Sequence, residues 1–441
     1  MNILIICSNF PPDLSIGAIR PYMLAKYLSE FGHKVTVICS KKPSADLKDK
    51  LYDSDLIRAN IIYFDDNDSL IAENKLSNRL KFSFLSGTLY NILAKIYHRV
   101  LYIRYFNQNY RLFKSEEKKI IHCIDTKLHE KYDIIFATFP RLENLYSGIY
   151  ARNKFDSKLV IDFRDAIVGS ALENWYNNKY MLKYEKELVY NTDYITCVAN
   201  DLSKSLKEKY GLKNIEIINN GFDEIDTNNE TFSNDNIFRI CYTGGLKLDC
   251  QQHTLDVLLK TLKEIIDSGI IKEDLIEFRY AGIDSKIFEE FVKKHRLSNI
   301  TKDYGLLTRD RVYKIQNESD LFVVLSMNTK KVKGIISGKF YEGIRTKKAI
   351  LALVDGNEAN SELYQMNEKY KYGFCYENAN KVVSLIGLEK FLIDLYTYKV
   401  NNKLSKVYIS DKFYSEYMYK NIAKKLEQVF LRVLSNTGEK S

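Results

Sequence analysis

The sequence of 441 residues has few prolines, a single tryptophan and no long apolar run. Five prolines and 19 glycines are too few for a low-complexity linker or a disordered domain. No apolar stretch approaches the roughly 20 residues that a membrane-spanning helix requires. A hydrophobic content of 45% therefore predicts a globular chain, long enough for two or more domains.

Cysteine and histidine occur without the spacing of a disulfide framework or a metal site. The seven cysteines are an odd number without any CxxC pair, and the six histidines are dispersed. We therefore expect reduced thiols in a cytoplasmic protein, and we predict no metal and no other cofactor.

Positive charge is present but is not gathered into one tract. The net charge of +9 suits nucleic acid, an anionic membrane surface or anionic small substrates. Nucleic acid is the least favoured of these partners, because the basic residues are spread among many large aliphatic residues.

Residues 75–119 form a basic, aromatic segment that carries no acidic residue before Glu116. Such an amphipathic stretch is typical of a peripheral contact with the anionic inner face of the cytoplasmic membrane. The same pattern suits helices that pack on a sheet and keep their basic faces in water. The sequence leaves both interpretations open.

The first forty residues have the pattern of a βαβ unit. An apolar strand at Asn2–Ser8 precedes a loop, a helix over residues 18–31 and a second strand over 35–39. Ligands bind beyond the carboxyl ends of the strands in parallel sheets of this kind. Gly17 and Arg20, which follow the first strand, are therefore candidates for a binding site. No GxGxxG sequence is present there, so nothing predicts a dinucleotide.

A later strand, Lys158–Phe163, ends in a run of charged residues. Asp162 lies in the strand, and Arg164 and Asp165 follow it directly. Charges at the end of a buried strand are unfavourable unless they are paired or used for binding. A structural ion pair and a functional role are both compatible with this run.

The alternation of strands and helices is interrupted once, at the polar residues 226–236. The predicted fold class is therefore α/β, with two Rossmann-like domains that face each other across a cleft. We place the domains at residues 1–225 and 226–410. A single long amphipathic helix is expected within residues 411–441.

The stretch from Ile335 to Leu353 has the pattern of an anion site. Ser337 and Gly338 form a small-residue turn before a short helix, and Lys339 follows in its first turn. Free N–H groups, the helix dipole and the ammonium group would then point at one place. Glu342 lies on the same helical face. The alternative interpretation is a surface ion pair on an ordinary amphipathic helix.

Several segments in the correct order resemble the GT-B glycosyltransferases of family 4, which include bacterial surface-polysaccharide enzymes. The resemblance covers nearly the whole chain. The segments that carry it are FPPDLSIGAIRPYMLAKYLSEFGHKVTVIC, VIDFRDA, IINNGFD, YTGGL, FRYAGID, ITKDYGLLTRDRVYKIQNESDLFVVLS and ISGKFYEGIRTKKAIL. It implies a GT-B fold whose C-terminal helix crosses back to the first domain.

The resemblance implies a nucleotide-diphosphate sugar, most often a UDP-sugar, held by the second domain. Lys339 would contact the diphosphate and Glu342 the ribose hydroxyls. The donor-binding residues that it implies are Gly244, Gly245, Lys247, Gly282, Ser337, Gly338, Lys339, Glu342, Asn357 and Glu358. On the acceptor side it implies Gly17, Arg20 and Arg164, with Arg20 facing the donor phosphates. The acceptor would be a saccharide or a polyprenyl-diphosphate-linked sugar.

The implied reaction is metal-independent transfer with retention of configuration, in capsule, lipopolysaccharide or other surface-glycan synthesis. Positive groups such as Lys339 and Arg20 would neutralise the leaving diphosphate. An inverting enzyme would instead need a carboxylate base, for which Glu143 and Asp165 are the candidates.

The sequence departs from the family at two positions and lacks one expected residue. Gly334 stands where the family often has a glutamate, and Gly245 where it often has an arginine. A histidine that commonly follows the fourth strand has no clear counterpart. Two alternatives therefore stay open: a GT-B nucleotide-sugar epimerase, and a catalytically idle glycosyltransferase-like binding subunit.

Overall fold

The structure is a computed structural model, and its secondary structure identifies two parallel sheets. It describes residues 1–13, 16–41, 52–65, 110–168, 175–224, 235–330, 332–333, 336–401 and 409–435. Most of the basic segment 75–119 and of the linker 226–236 lies outside these ranges, as does Gly334.

The N-terminal domain is built on a seven-stranded sheet. Its strands are β1 (Asn2–Ile6), β2 (Lys34–Lys41), β3 (Asn60–Asp65), β4 (Ile134–Thr138), β5 (Lys158–Phe163), β6 (Tyr194–Cys197) and β7 (Ile215–Ile217). Their order is β3-β2-β1-β4-β5-β6-β7, and every pairing is parallel. The helices are α1 (Ile16–Glu30), α2 (110–127), α3 (Leu142–Phe155), α4 (Trp175–Tyr190) and α5 (Asn200–Tyr210).

The C-terminal domain is built on a six-stranded parallel sheet of order β10-β9-β8-β11-β12-β13. Its strands are β8 (Phe238–Thr243), β9 (Ile276–Ala281), β10 (Thr301–Asp303), β11 (Leu321–Met327), β12 (Ala349–Asp355) and β13 (Gly373–Glu377). Its helices are α6 (Asp249–Asp267), α7 (Ser285–Lys294), α8 (Arg309–Asn317), α9 (Gly338–Arg345), α10 (Glu362–Tyr370) and α11 (Lys381–Val400). Two helices end the chain, α12 (Asp411–Glu416) and α13 (Tyr419–Ser435).

Both sheets are covered by helices on their two faces, which explains the unbroken apolar runs of their central strands. In β1, Ile3 and Ile5 pack in one buried cluster and Leu4 and Ile6 in the cluster on the opposite face. Side chains of successive strand residues point to opposite faces, so a strand buried on both sides needs apolar residues throughout. The predicted α/β fold class with two such domains is confirmed.

The C-terminal end of the chain contradicts the prediction of one long helix. The helix breaks between α12 and α13, where Tyr417 and Met418 contact Phe222. Phe413 of α12 packs in the C-terminal core, whereas Phe430 of α13 packs in the N-terminal core beside α1. The two halves of the amphipathic pattern therefore bury their apolar faces in different domains.

Three further elements differ from the sequence prediction. Helix α1 begins at Ile16, so Gly17 lies in its first turn and not in the preceding loop. Strand β3 and the 20-residue helix α11 were not predicted. Exposed Val382, Val383 and Ile386 on the outer face of α11 weaken its amphipathic pattern.

Candidate active site

Three glycines, Gly244, Gly282 and Gly305, lie close together at the carboxyl ends of β8, β9 and β10 and form a surface that we call the glycine floor. The amide of Gly244 donates to the carbonyl of Ala281 at 2.9 Å, and the amide of Gly282 donates to that of Gly305 at 2.9 Å. A Cβ atom at Gly282 would lie 2.2 Å from the carbonyl oxygen of Gly244. Only glycine permits this close approach, which leaves the floor without side chains.

Neighbouring side chains form hydrogen bonds with the backbone of residues 244–246, which we call the glycine loop. Asp284 accepts a hydrogen bond from the amide of Leu246 at 2.8 Å. The hydroxyls of Tyr242 and Tyr280 donate to the carbonyls of Gly245 and Gly244, at 2.5 and 3.1 Å. These carbonyls are therefore satisfied from the protein side.

Lys339 lies against the glycine floor. A Cβ atom at Gly244 would be only 3.7 Å from Cε of Lys339. Nζ of Lys339 lies 3.1 and 3.0 Å from the two carboxylate oxygens of Glu342. The lysine side chain is 28% exposed and that of Glu342 only 10%, so the pair is not a solvated surface ion pair.

Glu342 is held as a carboxylate by the groups around it. Burial alone would raise its pKa, but the charge of Lys339 and hydrogen bonds from Gln316 and Lys339 outweigh burial and lower it. Nε2 of Gln316 donates to Oε2 of Glu342 at 2.7 Å and lies 2.8 Å from Oγ1 of Thr243. A buried, ionised carboxylate that faces a lysine is a ready acceptor for hydroxyl groups.

The turn before α9 has its predicted residues in place. Ser337 is the N-cap of α9 in extended backbone, but its side chain makes no capping bond. Its Oγ is buried and has no hydrogen-bond partner in the described part of the chain. Gly338 begins the helix one residue before Lys339. This turn therefore keeps a hydroxyl and the helix N-terminus beside the lysine.

The remaining predicted donor residues occupy two other loops of this edge. Lys247 is exposed directly after the glycine loop, and Asn357 is exposed after β12. Glu358 pairs with Lys333 at 3.6 Å, and its amide donates to the carbonyl of Asn328. Among the described residues, no hydrogen bond or ion pair joins Lys247, Asn357 or Glu358 to Lys339. The donor roles of these three residues stay predictions.

Arg20 is held by an internal ion pair. Its side chain is 2% exposed, and its guanidinium donates to both carboxylate oxygens of Asp162 at 3.0 and 2.9 Å. It also donates to the carbonyls of Ile218 and Asn219, at 2.8 and 2.6 Å. These bonds join α1 to two strand ends, and the role predicted for Arg20 toward the donor phosphates stays a prediction.

Two predicted acceptor residues contact each other directly. Nη1 of Arg164 donates to the carbonyl of Gly17 at 2.9 Å, while its Nε is buried without a partner among the described residues. Burial and the charge of Arg20 lower the pKa of Arg164. This side chain thus lines the carboxyl edge of the N-terminal sheet with part of its hydrogen-bonding capacity unused.

The two carboxylates predicted as candidate bases differ in surroundings. Asp165 is exposed to solvent. Partial desolvation nevertheless raises the pKa of its carboxyl group, and the positive charge of Arg164 acts in the opposite direction. Glu143 is buried and lies 3.5 Å from Arg141. The base role predicted for either residue is not tested by these contacts.

Contacts between the domains bring in residues that the sequence did not single out. The hydroxyl of Tyr52 lies 3.2 Å from that of Tyr313, and the guanidinium of Arg309 lies over the Tyr52 ring at 5.2 Å. Glu362 of α10 accepts hydrogen bonds from Asn200 of α5. The only sequence signal for Glu362 is an acidic residue in the first turn of a helix.

His253 and Asp355 form a further pair at the donor edge that the sequence did not predict. Nδ1 of His253 lies 2.8 Å from Oδ1 of Asp355, which also accepts from Asn378 at 3.1 Å. Within the described ranges, no group of three or more metal-ligating side chains is arranged around a common point. None of the described helices has the length and apolar character to cross a bilayer.

Comparison with known proteins gives one family match and several fold matches. Residues 19–224 match the model of Glycosyltransferase Family 4. No curated protein matches the sequence. Sucrose-phosphate synthase from Thermosynechococcus elongatus shares the fold with a TM-score of 0.60 and 11% identity, over 99% of this chain and 100% of that one.

Two further solved structures are similar over nearly their full length. The lipopolysaccharide outer core galactosyltransferase WaaB has a TM-score of 0.56 and 11% identity, with 98% of this chain and 99% of that chain covered. A UDP-N-acetylglucosamine 2-epimerase has a TM-score of 0.55 and 12% identity, with 100% and 98% covered. At these identities the likeness establishes the fold.

Proposed function

We propose, from the match of residues 19–224 to Glycosyltransferase Family 4 and the GT-B fold of the whole chain, that this glycosyltransferase uses a nucleotide-diphosphate sugar. The sugar would pass to an acceptor held at the facing edge of the N-terminal domain. The observation that carries the proposal is the pair of half-buried Lys339 and buried Glu342 beside the side-chain-free floor of Gly244 and Gly282.

Each part of this arrangement suits one part of the donor. The floor permits a diphosphate to approach the backbone closely, and Lys339 with the N-terminus of α9 supplies positive charge where the leaving diphosphate gains negative charge. The ionised Glu342 accepts hydrogen bonds from ribose hydroxyls. The transition state resembles an oxocarbenium ion, so neutralising the departing group lowers the barrier.

UDP-sugars are the first donors to test. The epimerase that shares the fold is named for UDP-N-acetylglucosamine, and the galactosyltransferase is named for transfer to the lipopolysaccharide outer core. These names favour a UDP-sugar donor and a saccharide acceptor in bacterial surface-glycan synthesis. A polyprenyl-diphosphate-linked sugar is the second acceptor that we propose to test. We further propose retention of configuration without a metal ion.

The experiment is a thermal-shift screen of nucleoside diphosphates and nucleotide sugars, followed by transfer assays with the best donor. We expect UDP or a UDP-sugar to raise the melting temperature of the wild type by more than that of Lys339→Met. Absence of stabilisation by every nucleotide would contradict the proposal. Assays with and without EDTA test the metal-independence, and the anomeric configuration of the product tests retention.

The epimerase is the second candidate, favoured by the fold likeness to UDP-N-acetylglucosamine 2-epimerase. Incubation of donor without acceptor separates the two functions, since only an epimerase changes the sugar configuration in the free nucleotide sugar. Nucleotide binding without turnover on any acceptor would instead support an idle binding subunit.

The location at the inner face of the cytoplasmic membrane stays part of the proposal, and the basic residues of segment 75–119 motivate it. Lys95, Arg99 and Arg104 lie outside the described residues. Neutralising all three should reduce co-sedimentation with anionic liposomes, because fewer cations then face the lipid phosphates. Unchanged co-sedimentation of the triple variant with anionic liposomes would contradict membrane contact by this segment.

A further inference from the structure

Glu362 reaches from the C-terminal domain to a helix of the N-terminal domain. Its Oε1 accepts hydrogen bonds from the amide of Asn200 at 3.0 Å and from Nδ2 of Asn200 at 2.8 Å. The amide of Asp201 lies 3.5 Å from Oε2. Glu362 is buried, and the chemistry proposed above makes no use of it.

Helix α5 lacks a cap from its own domain. Its N-cap residue is Ala199, whose side chain has no hydrogen-bonding group. The first N–H groups of a helix have no intrahelical partner and are usually capped by a nearby Ser, Thr, Asp or Asn. Glu362 supplies the missing acceptor, and its negative charge meets the positive end of the helix dipole. We call the contact of Glu362 with Asn200 and Asp201 the interdomain cap.

The carboxylate of Glu362 is held in position by its own domain. Ser361 caps α10 by accepting from the amide of Tyr364 at 3.2 Å. Glu377, which is buried in β13, accepts from the amides of Ser361 and Asn360 at 2.7 and 3.0 Å. Bonds within the C-terminal domain thereby fix the first turn of α10, which carries Glu362.

The interdomain cap lies next to the helix that carries the donor residues. Tyr341 precedes Glu342 in α9 and is fully buried, and its hydroxyl has no hydrogen-bond partner in the described ranges. Burial, then Tyr417, then the carboxylate of Glu362 raise the pKa of Tyr341. Glu362 is therefore within electrostatic reach of α9.

We propose that Glu362 is a positioning residue that fixes the two domains relative to each other and so sets the distance between donor and acceptor sites. Helix α5 follows β6 and helix α10 follows β12, so both begin beyond the carboxyl ends of parallel strands, and their first turns meet at the interdomain cap. Separation of these first turns would break every bond of the interdomain cap. The inference rests on the proposed function, because positioning has a meaning only if a sugar is transferred.

The test compares Glu362→Gln with Glu368→Gln, a matched control at an exposed position of the same helix. Hydrogen exchange of the backbone amides of residues 200–203 measures the interdomain cap directly and requires no substrate. We expect faster exchange there in Glu362→Gln and no change in Glu368→Gln. Unchanged exchange in Glu362→Gln would overturn the interdomain cap.

Kinetics then separate positioning from folding. We expect Glu362→Gln to bind UDP with a Kd within about twofold of the wild type, while kcat falls by up to about a hundredfold, since small misplacements slow the chemical step. A normal kcat together with faster exchange would overturn the positioning role. If UDP does not bind to the wild type, the proposed function is contradicted. The exchange result still tests whether the interdomain cap exists.

A second variant covers the case in which Glu362→Gln does not fold. Asn200→Ala removes the Nδ2 bond from the opposite domain and leaves α10 intact. We expect Asn200→Ala to lower kcat by several-fold without changing the Kd for UDP, because it removes one bond of the interdomain cap. A wild-type kcat in Asn200→Ala would overturn the proposal.

Discussion

Phe222 and Met418 form a parallel backbone bridge where the C-terminal end of the chain passes between the domains. The amide of Phe222 donates to the carbonyl of Tyr417 at 3.1 Å, and the amide of Tyr419 donates to that of Phe222 at 2.9 Å. The end of the N-terminal domain and the break between α12 and α13 are thus hydrogen-bonded to each other.

Gly221 makes the bridge possible, and Gly221→Ala should damage it. A Cβ atom there would lie 2.3 Å from the carbonyl oxygen of Tyr417 and 2.5 Å from Cδ1 of Ile422. Relief of this clash requires the crossing segments to separate, so we expect destabilisation of about 1–3 kcal/mol in urea unfolding.

Gly269→Ala is the matched control for this change. Gly269 has a φ of 76° and open space around its Cβ position, so alanine there meets only backbone strain of about 1–2 kcal/mol. Gly221→Ala should be the more destabilising of the two changes, because it adds a clash with the backbone of Tyr417. Equal losses of stability would contradict the close approach at Gly221.

Lys339→Met should reduce transfer by about two orders of magnitude, because it removes the cation proposed to neutralise the leaving diphosphate. Methionine retains much of the aliphatic stem that packs against Gly244. The measurement is kcat with saturating donor. Lys314→Met, at an exposed position of α8, should leave kcat unchanged. A normal kcat for Lys339→Met would remove this residue from the site.

The stability that Glu342 contributes should depend on pH. Its pKa is lowered from the ordinary value of 4.5 in the folded protein, so its contribution is present above that value and is lost as the pH falls through the lowered pKa. Glu342→Gln should therefore be less stable than the wild type at pH 7, by about 1–3 kcal/mol.

Urea unfolding across a pH series measures this dependence. The difference between wild type and Glu342→Gln should shrink as the solution is acidified below pH 4.5, where the wild-type carboxylate takes up a proton. A difference that stays constant from neutral to acidic pH would contradict the lowered pKa and the role of Lys339 as its partner.

Asp162→Asn should destabilise the N-terminal domain strongly. It leaves the buried guanidinium of Arg20 without its charged partner and perturbs the hydroxyl bonds from Thr138 and Thr196, at 3.0 and 2.8 Å. Breaking a buried ion pair of this kind costs about 3–5 kcal/mol, which urea unfolding at neutral pH would measure.

The matched control is Asp267→Asn, which breaks the exposed pair with Lys263 at the end of α6. Exposed pairs contribute at most about 1 kcal/mol, so little change is expected. Equal effects of the two Asp→Asn changes would contradict the internal, structural role of the Arg20–Asp162 pair.

Local pattern was sufficient to predict much of this molecule. The bounds of β5 agree with the predicted strand Lys158–Phe163, which the apolar run Leu159, Val160 and Ile161 indicates. Lys339 and Glu342 share a helical face because residues three apart always do. The GT-B fold that the ordered motifs imply is confirmed by the solved structures, and residues 19–224 match the model of Glycosyltransferase Family 4.

Tertiary structure alone decided the features that depend on distant residues. Arg20 is internal because Asp162, which lies 142 residues away, meets it at the sheet edge. The last helix breaks because its two halves pack in different cores, joined at Phe222. Glu362 caps a helix whose first residue lies 162 positions earlier in the chain. Periodicity reports which face of an element is apolar, but not which domain covers that face.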